Sequence, residues 1–307
     1  MRNTFADVIY EIGKKDDRIC ALVADISPAG SMMNFRTEFP DRFINCGVAE
    51  QSMIGIAAGL ALRGMRPFCY TIATFSLYRP FEMIRVDLCY QNLPVTVIGM
   101  GAGVIYSTLG GTHHTMEDIS IATSLPGMQV LAPCDPNEMR EATKWCATEN
   151  KSPVYMRLGK VGEPDFTSKL KDKFKFGKVR YLKKGSDISI ISYGITVKLA
   201  KELSEKLEAM GKSVTLISCH TIKPLDNKGI KDILESHNHN FVIEEHVPHG
   251  GLSSRVKEIA LETKNKNNLD CFTLKDKFIH FYGNHQELLN EHGLSVDKIF
   301  NAIKSKI

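Results

Sequence analysis

Short apolar runs recur along this chain, separated by longer stretches whose apolar positions return at helical spacing. In the first half the runs at 19–24, 68–71, 95–99, 129–131 and 154–156 predict buried strands. The stretches at 4–14, 50–63, 77–91, 119–123 and 137–148 predict helices. The second half repeats the pattern, with strands expected at 188–192, 213–218 and 240–244 and helices at 196–210, 227–237 and 252–264. Gly211 follows the first of these helical patterns where a terminating glycine belongs. Short apolar strands alternating with helices imply mainly parallel sheets covered on both faces. The expected fold class is therefore α/β, as two three-layer α/β/α domains. A Gly- and Pro-punctuated, Lys-rich stretch around 159–176 divides them, so the expected organisation is a first domain over 1–165, a linker over 166–183 and a second domain over 184–307.

Length and composition agree with two soluble domains. The chain has 307 residues, 43% of them hydrophobic and 24% charged. Lys and Arg number 39 against 35 Asp and Glu, a net charge of +4. That charge is too small and too evenly spread to point to nucleic acid. No apolar run is long enough for a membrane helix. The opening Met1-Arg2-Asn3-Thr4 has no apolar signal core, so a cytoplasmic location is expected. The eight cysteines form no Cys-x-x-Cys pair and have no His at zinc-finger spacing, which suits reduced, mostly buried thiols.

Two apparent nucleotide motifs fail on inspection. Gly99-Met100-Gly101-Ala102-Gly103 follows an apolar run, but Val104 stands where a dinucleotide fingerprint needs glycine, and a loop follows instead of a helix. Gly211-Lys212-Ser213 lacks the first glycine of a phosphate loop, because Lys206 holds that place. Three other stretches are more informative. Glu50 opens a pattern that is apolar nearly all round (Met53, Ile54, Ile56, Ala57, Ala58, Leu60). The simplest reading is an acid favoured by the helix dipole. A helix of that composition is buried, however, and a carboxylate drawn in with it needs a partner. Phe75, Tyr78 and Phe81 stand at i, i+3 and i+6, which fits either a core stripe or a wall for a flat heterocycle. Leu109-Gly110-Gly111-Thr112-His113-His114 sets paired histidines in a Gly-rich loop. Adjacent histidines cannot share one helical face, so a zinc pair is excluded; they are either a surface pair or one of them faces a cleft as proton donor or ligand.

Together, Gly47-Val48-Ala49-Glu50-Gln51, Thr74-Phe75 with its aromatic spacing and Gly111-Thr112-His113-His114 resemble the pyrimidine-binding domain of the transketolase family of thiamine-diphosphate enzymes. Residues 185–194, Thr221-Ile222-Lys223-Pro224 and Glu244-Glu245-His246 resemble the C-terminal domain of that family. The resemblance covers essentially the whole chain, in the family's order. It implies that Glu50 hydrogen-bonds the ring nitrogen of the cofactor's aminopyrimidine and that Phe75, Tyr78 and Phe81 surround that ring. It also implies that His113 lines the substrate channel, that Asp25 lies near the cofactor, and that Arg2 and Arg157 hold a sugar phosphate. Glu50 and His113 are thus the expected catalytic residues.

The chain also departs from the family. The family's phosphate-binding serine falls near Ala29 and a phosphate-binding histidine near Gly101. The phosphate cradle is therefore kept only in part; the substrate is either not phosphorylated or has its phosphate held differently. The family holds diphosphate through Mg²⁺ with a Gly-Asp-Gly motif and a following Asn-Asn, and no Gly-Asp-Gly occurs here. The resemblance then implies the C-terminal, beta subunit of a split transketolase. It would transfer a two-carbon ketol unit from a ketose to an aldose as part of an α2β2 heterotetramer. A separate N-terminal subunit would carry Gly-Asp-Gly and Asn-Asn, so no metal ligand is expected on this chain. Two alternatives stand beside this reading: the beta subunit of the first component of a 2-oxo acid dehydrogenase complex, and a non-catalytic scaffold subunit.

Overall fold

The computed structural model describes residues 1–27, 30–160, 162–263 and 268–307. The strands, in chain order, are β1 (Ile19–Val23), β2 (Phe43–Asn45), β3 (Arg66–Ile72), β4 (Thr96–Met100), β5 (Gln129–Leu131), β6 (Val154–Leu158), β7 (Arg180–Lys183), β8 (Ile188–Ser192), β9 (Val214–Ser218), β10 (Thr221–Lys223), β11 (His239–Ile243) and β12 (Asn268–Phe272). They form a seven-stranded sheet of order β10-β5-β6-β4-β3-β1-β2 and a five-stranded sheet of order β12-β11-β8-β9-β7. Strands β1, β4, β6, β8 and β9 are buried along their whole length. That is why they read as mostly apolar runs, interrupted by buried polar residues such as Arg157, Ser189 and Thr215, rather than as alternating ones.

Two antiparallel edges break the parallel pattern. β7 pairs antiparallel with β9, so regular structure already begins inside the stretch read as a linker. β10 comes from the second half of the chain yet pairs antiparallel with β5 of the first sheet, Thr221 opposite Leu131. The core follows the same crossing. One contiguous apolar cluster joins Leu22, Ile54, Val97 and Tyr155 of the first half to Ile191, Ile217, Val242 and Leu252 of the second. The opposite face of the first sheet packs Phe5, Ile9, Phe35 and Met139 over Val23, Tyr70 and Ile98.

Helices differ from expectation in two places that matter for the site. The stretch at 77–91 is not one helix. It divides into Ala73–Leu77, a short turn Phe81–Met83 capped by Pro80, and a π-helical segment Ile84–Tyr90. Proline ends the first piece because it has no N–H to donate and disfavours helix in the residue before it. The helix Glu50–Leu62 buries Met53, Ile54, Ala57, Ala58 and Ala61, but it is not buried all round. Ile56 and Leu62 remain exposed on its outer face, at 40% and 62%, with Gly55 and Gly59 open beside them. The last helix of the 252–264 pattern is seen as Leu252–Ala260, and residue 264 lies outside the described residues.

The glycines of the run at 99–103 have a packing reason. A Cβ on Gly99 would lie 2.3 Å from the Tyr155 hydroxyl, and one on Gly103 would lie 2.2 Å from the Glu245 carboxylate. These glycines let rings and a carboxylate approach the backbone; the run is not a nucleotide-binding turn. All eight cysteines are free, and six of them are buried. Among the described residues no helix is long and apolar enough to cross a membrane.

Candidate active site

In parallel α/β sheets, ligands gather beyond the C-terminal ends of the strands, where the loops converge. Asp25 follows β1, Glu50 follows β2, Phe75 follows β3, His113 lies in the loop after β4, and Lys160 follows β6. The sheet itself therefore brings most of the expected site residues to one edge.

Glu50 is the first residue of its helix and is 4% exposed. A carboxylate desolvated to that degree requires a counter-charge. Arg79 supplies it: Nη1 donates to Glu50 Oε1 at 2.9 Å. The same guanidinium lies 4.1 Å from the centroid of the Phe75 ring. Phe75 in turn meets the His113 ring edge-on at 5.1 Å, and His113 meets Tyr106 edge-on at 5.9 Å. Glu50, Arg79, Phe75, His113 and Tyr106 thus form one continuous wall.

Tyr78 and Phe81 are half-buried and pack against the core. The Tyr78 hydroxyl donates to Glu117 Oε2 at 2.8 Å, which ties the aromatic segment to the loop carrying His113. A second tie is the Thr74 hydroxyl, which donates to the Thr112 carbonyl at 3.1 Å. Of the paired histidines, His114 is buried and His113 lies on the wall. Burial and the nearby Arg79 charge both lower the His113 pKa, favouring neutral imidazole. Its Nδ1 lies 2.8 Å from the Thr112 hydroxyl. The Thr112 hydroxyl also reaches the Leu109 carbonyl at 3.4 Å, and Nε2 is the ring nitrogen left for a substrate, as donor or acceptor according to the tautomer.

Asp25 is exposed and holds a left-handed backbone, φ +46°. Its N–H donates to Asn45 Oδ1 at 3.0 Å, joining the ends of β1 and β2. A non-glycine residue in that region stores strain, and such residues concentrate at functional sites. Arg2 opens the first helix, and its Nε is buried with no hydrogen-bond partner. Ala29 lies outside the described residues.

Arg157 sits elsewhere. Its side chain is 2% exposed and that of Asp118 is fully buried. Nε donates to Asp118 Oδ2 at 2.8 Å, and Nη2 donates to the Glu245 carbonyl at 2.8 Å. Asp118 Oδ2 also accepts from the Tyr155 hydroxyl at 2.8 Å. The Arg157 guanidinium is engaged through Nε and Nη2 in the seam between the two halves. The sequence pattern does not single out Arg79, Tyr106 or Glu117. Its one usable signal is position: Arg79 lies four residues beyond Phe75, close enough in a helical segment to reach it.

Comparison with known proteins decides the lineage. Residues 1–161 match the transketolase pyrimidine-binding domain and residues 177–299 match the transketolase C-terminal domain. The chain belongs to the transketolase family. It is 33% identical to an apulose-4-phosphate transketolase subunit of Phocaeicola vulgatus, over 97% of this chain and 94% of that protein. It is also 33% identical to a putative transketolase C-terminal section of Methanocaldococcus jannaschii, over 100% of this chain and 96% of that one. Among solved structures, a split-gene transketolase described as an inactive beta4 tetramer superimposes with a TM-score of 0.87 at 32% identity, covering 99% of this chain and 96% of that chain. The family implies thiamine diphosphate. The residues suit its aminopyrimidine: a buried carboxylate with one oxygen, Glu50 Oε2, unused by any described donor, and an aromatic face beside it.

Proposed function

We propose that this chain is the C-terminal, beta subunit of a two-subunit transketolase that moves a two-carbon ketol unit from a ketose to an aldose. The wall carries the reading: Glu50, Phe75 and His113 stand together at one sheet edge in a chain nearly coextensive with separately encoded subunits. Glu50 would hold the aminopyrimidine ring nitrogen and Phe75 its face. When bound, thiamine diphosphate supplies the nucleophilic carbon and electron sink that ketol transfer needs.

The protein groups have defined tasks around it. Arg79 holds Glu50 in place through Oε1, which leaves Oε2 for the ring nitrogen. Neutral His113 would present Nε2 to the substrate oxygen beside the reacting carbon, where charge changes in the reaction. Asp25 and Asn45 brace the loops that follow β1 and β2 against each other. Arg2 would reach the far end of the sugar through the outer part of its guanidinium, since its Nε is buried.

The diphosphate and Mg²⁺ fall to the N-terminal subunit. Its docking face includes the exposed side of the Glu50–Leu62 helix, where Ile56 and Leu62 stand beside Gly55 and Gly59. Apolar residues in that pattern are costly in water and fit against a second subunit. The test mixes the purified chain with its N-terminal partner, thiamine diphosphate and Mg²⁺ and follows ketol transfer. Transfer is expected only from the mixture, and robust transfer by this chain alone would sink the two-subunit reading. Glu50→Gln should reduce turnover by roughly a hundredfold or more while the subunits still assemble. Near-normal turnover in that variant would remove Glu50 from its assigned role.

A further inference from the structure

The loop that carries His113 leaves the first sheet after β4 but is anchored in the second half of the chain. Its neck is closed by Gly103 and Thr115, whose N–H groups donate to each other's carbonyls at 3.0 and 2.8 Å. Beside that neck, Val104 and Met116 are buried in the apolar cluster of the second sheet, with Ile190, Phe241 and Ile243. The Phe278 ring, also from the second half, lies beside Gly111, two residues before His113. The second half therefore grips this loop at its neck and near its tip.

One buried carboxylate holds the neck. Glu245 is 1% exposed, and its Oε1 accepts from the Val104 N–H at 2.6 Å. The same oxygen lies 3.0 Å from His285 Nε2. Gly103 holds φ +68°, and a Cβ there would collide with the carboxylate, so glycine is what lets Glu245 reach the loop. Burial pushes the Glu245 pKa up, but the His285 and Arg157 charges and the Val104 N–H outweigh it and hold the carboxyl below its ordinary value. Burial also opposes the charge on His285, and Glu245 more than restores it, so the His285 pKa is raised. Both shifts favour the ionised pair, which makes the bond to Val104 charge-assisted. The residues after Glu245 extend the contact: the Ser120 N–H donates to His246 Nε2 at 3.2 Å, and the Val247 N–H donates to the Met116 carbonyl at 2.9 Å.

We propose that Glu245, paired with His285, is a positioning residue: it fixes the neck of the loop and so keeps His113 against Phe75 on the wall. Glu245 acts on the reaction through His113 and not by direct contact. This rests on the ketol-transfer reading above and gives the second half of the chain a task in it.

Two measurements test it, and the first needs no turnover. In the full chain carrying 15N-histidine, the His113 ring signal is identified by its loss in His113→Gln and followed against pH. In the wild type, burial and the Arg79 charge lower this pKa. Glu245→Ala should free the loop, move His113 into water and away from Arg79, and return its pKa toward the ordinary value near 6.5. Glu245→Gln keeps an acceptor for the Val104 N–H and should stay close to the wild type. His285→Leu should shift the titration in the same direction as Glu245→Ala, by less. The His285 side chain is 32% exposed, so this variant carries the test if Glu245→Ala does not fold. The second measurement uses the assembled two-subunit enzyme. There Glu245→Ala should lower kcat about tenfold while KM changes by less than about twofold, and Glu245→Gln should recover most of the loss. An unchanged His113 titration in both Glu245→Ala and His285→Leu would overturn the proposal, even with both variants less stable, because the carboxylate would then serve folding alone. A raised KM with kcat intact would overturn it too. If the wild type turns over no acceptor, the ketol-transfer reading fails separately, and the His113 titration still decides whether Glu245 sets the place of that ring.

Discussion

Replacing Arg157 with methionine separates two roles for this side chain. If its guanidinium belongs to the interior, Arg157→Met removes the counter-charge of a fully buried Asp118. The pair stands at 2.8 Å, so its attraction is roughly 6 kcal/mol at an effective dielectric near 20, before the cost of desolvating both groups. What remains in the variant is a buried carboxylate with only the Tyr155 hydroxyl on Oδ2 and no partner on Oδ1. Breaking one side of such a pair typically costs about 3–5 kcal/mol, a large part of a domain's total stability. The bond to the Glu245 carbonyl is lost with it, so the two halves also loosen from each other. The assay is urea unfolding followed by circular dichroism, with substrate kinetics on the assembled enzyme. We expect a midpoint well below that of the wild type. Arg157→Lys should rescue little, because the fork that reaches Asp118 and Glu245 at once is gone. Arg157→Met combined with Asp118→Leu should recover most of the loss, since apolar groups of similar size replace a buried pair at little cost. A single variant within about 1 kcal/mol of the wild type, with KM raised for a phosphorylated substrate, would refute this account and return Arg157 to the substrate.

Two further tests concern the seam between the halves and the connector. Burial raises the Glu138 pKa from 4.5 to about 7, with Asp135 adding to the rise and the Cys134 N–H and Arg180 opposing it. An acid with a raised folded pKa stabilises the fold fully below its unfolded value and loses that contribution as pH climbs through the folded one. Stability from this group should therefore drain away between pH 4.5 and about 7, by about 3 kcal/mol. Glu138→Gln should flatten melting temperature against pH across that window; an unchanged slope would show that another group titrates there. Trp145, the single tryptophan, stacks on Phe176 of the connector with centroids 3.9 Å apart. Phe176→Ala should shift tryptophan emission to the red without loss of fold, and an unaltered spectrum would mean that the stack does not persist in solution.

The parts of the fold that were legible were those with buried parallel strands. Cys20 to Val23, Val97 to Met100 and Ile188 to Ile191 are surrounded on both faces, so their composition announces them. Strands set by distant partners did not show. Thr221-Ile222-Lys223 has no strand signature of its own, and its pairing with β5 is made by tertiary structure. β7 was hidden in a Lys-rich stretch, because an edge strand tolerates charge. The break at Pro80 and the π-helical turn after it carry apolar residues at ordinary helical spacing, so periodicity alone reads through them. At the site, Glu50 was legible because a carboxylate at the head of an apolar helix conflicts with its surroundings. Tyr106 was not, because nothing in the sequence says that a ring at 106 takes the space of a side chain at 101.

Strand β10 bears on how the protein is made. The first sheet cannot be finished while the ribosome is still translating the first half. Its β5 edge stays open until residue 223 has left the exit tunnel, more than ninety residues after Leu131. Lys223 then closes the gap twice over, through its backbone and through Nζ, which donates to the carbonyls of Thr123 at 2.8 Å and Leu125 at 2.6 Å. A nascent chain arrested in the connector would present that edge to its neighbours, which is a route to strand-mediated aggregation. For the same reason, a gene cut at the connector would not yield two independent modules: the upstream product would lack its outermost strand, and the downstream product would carry a strand with no sheet to join.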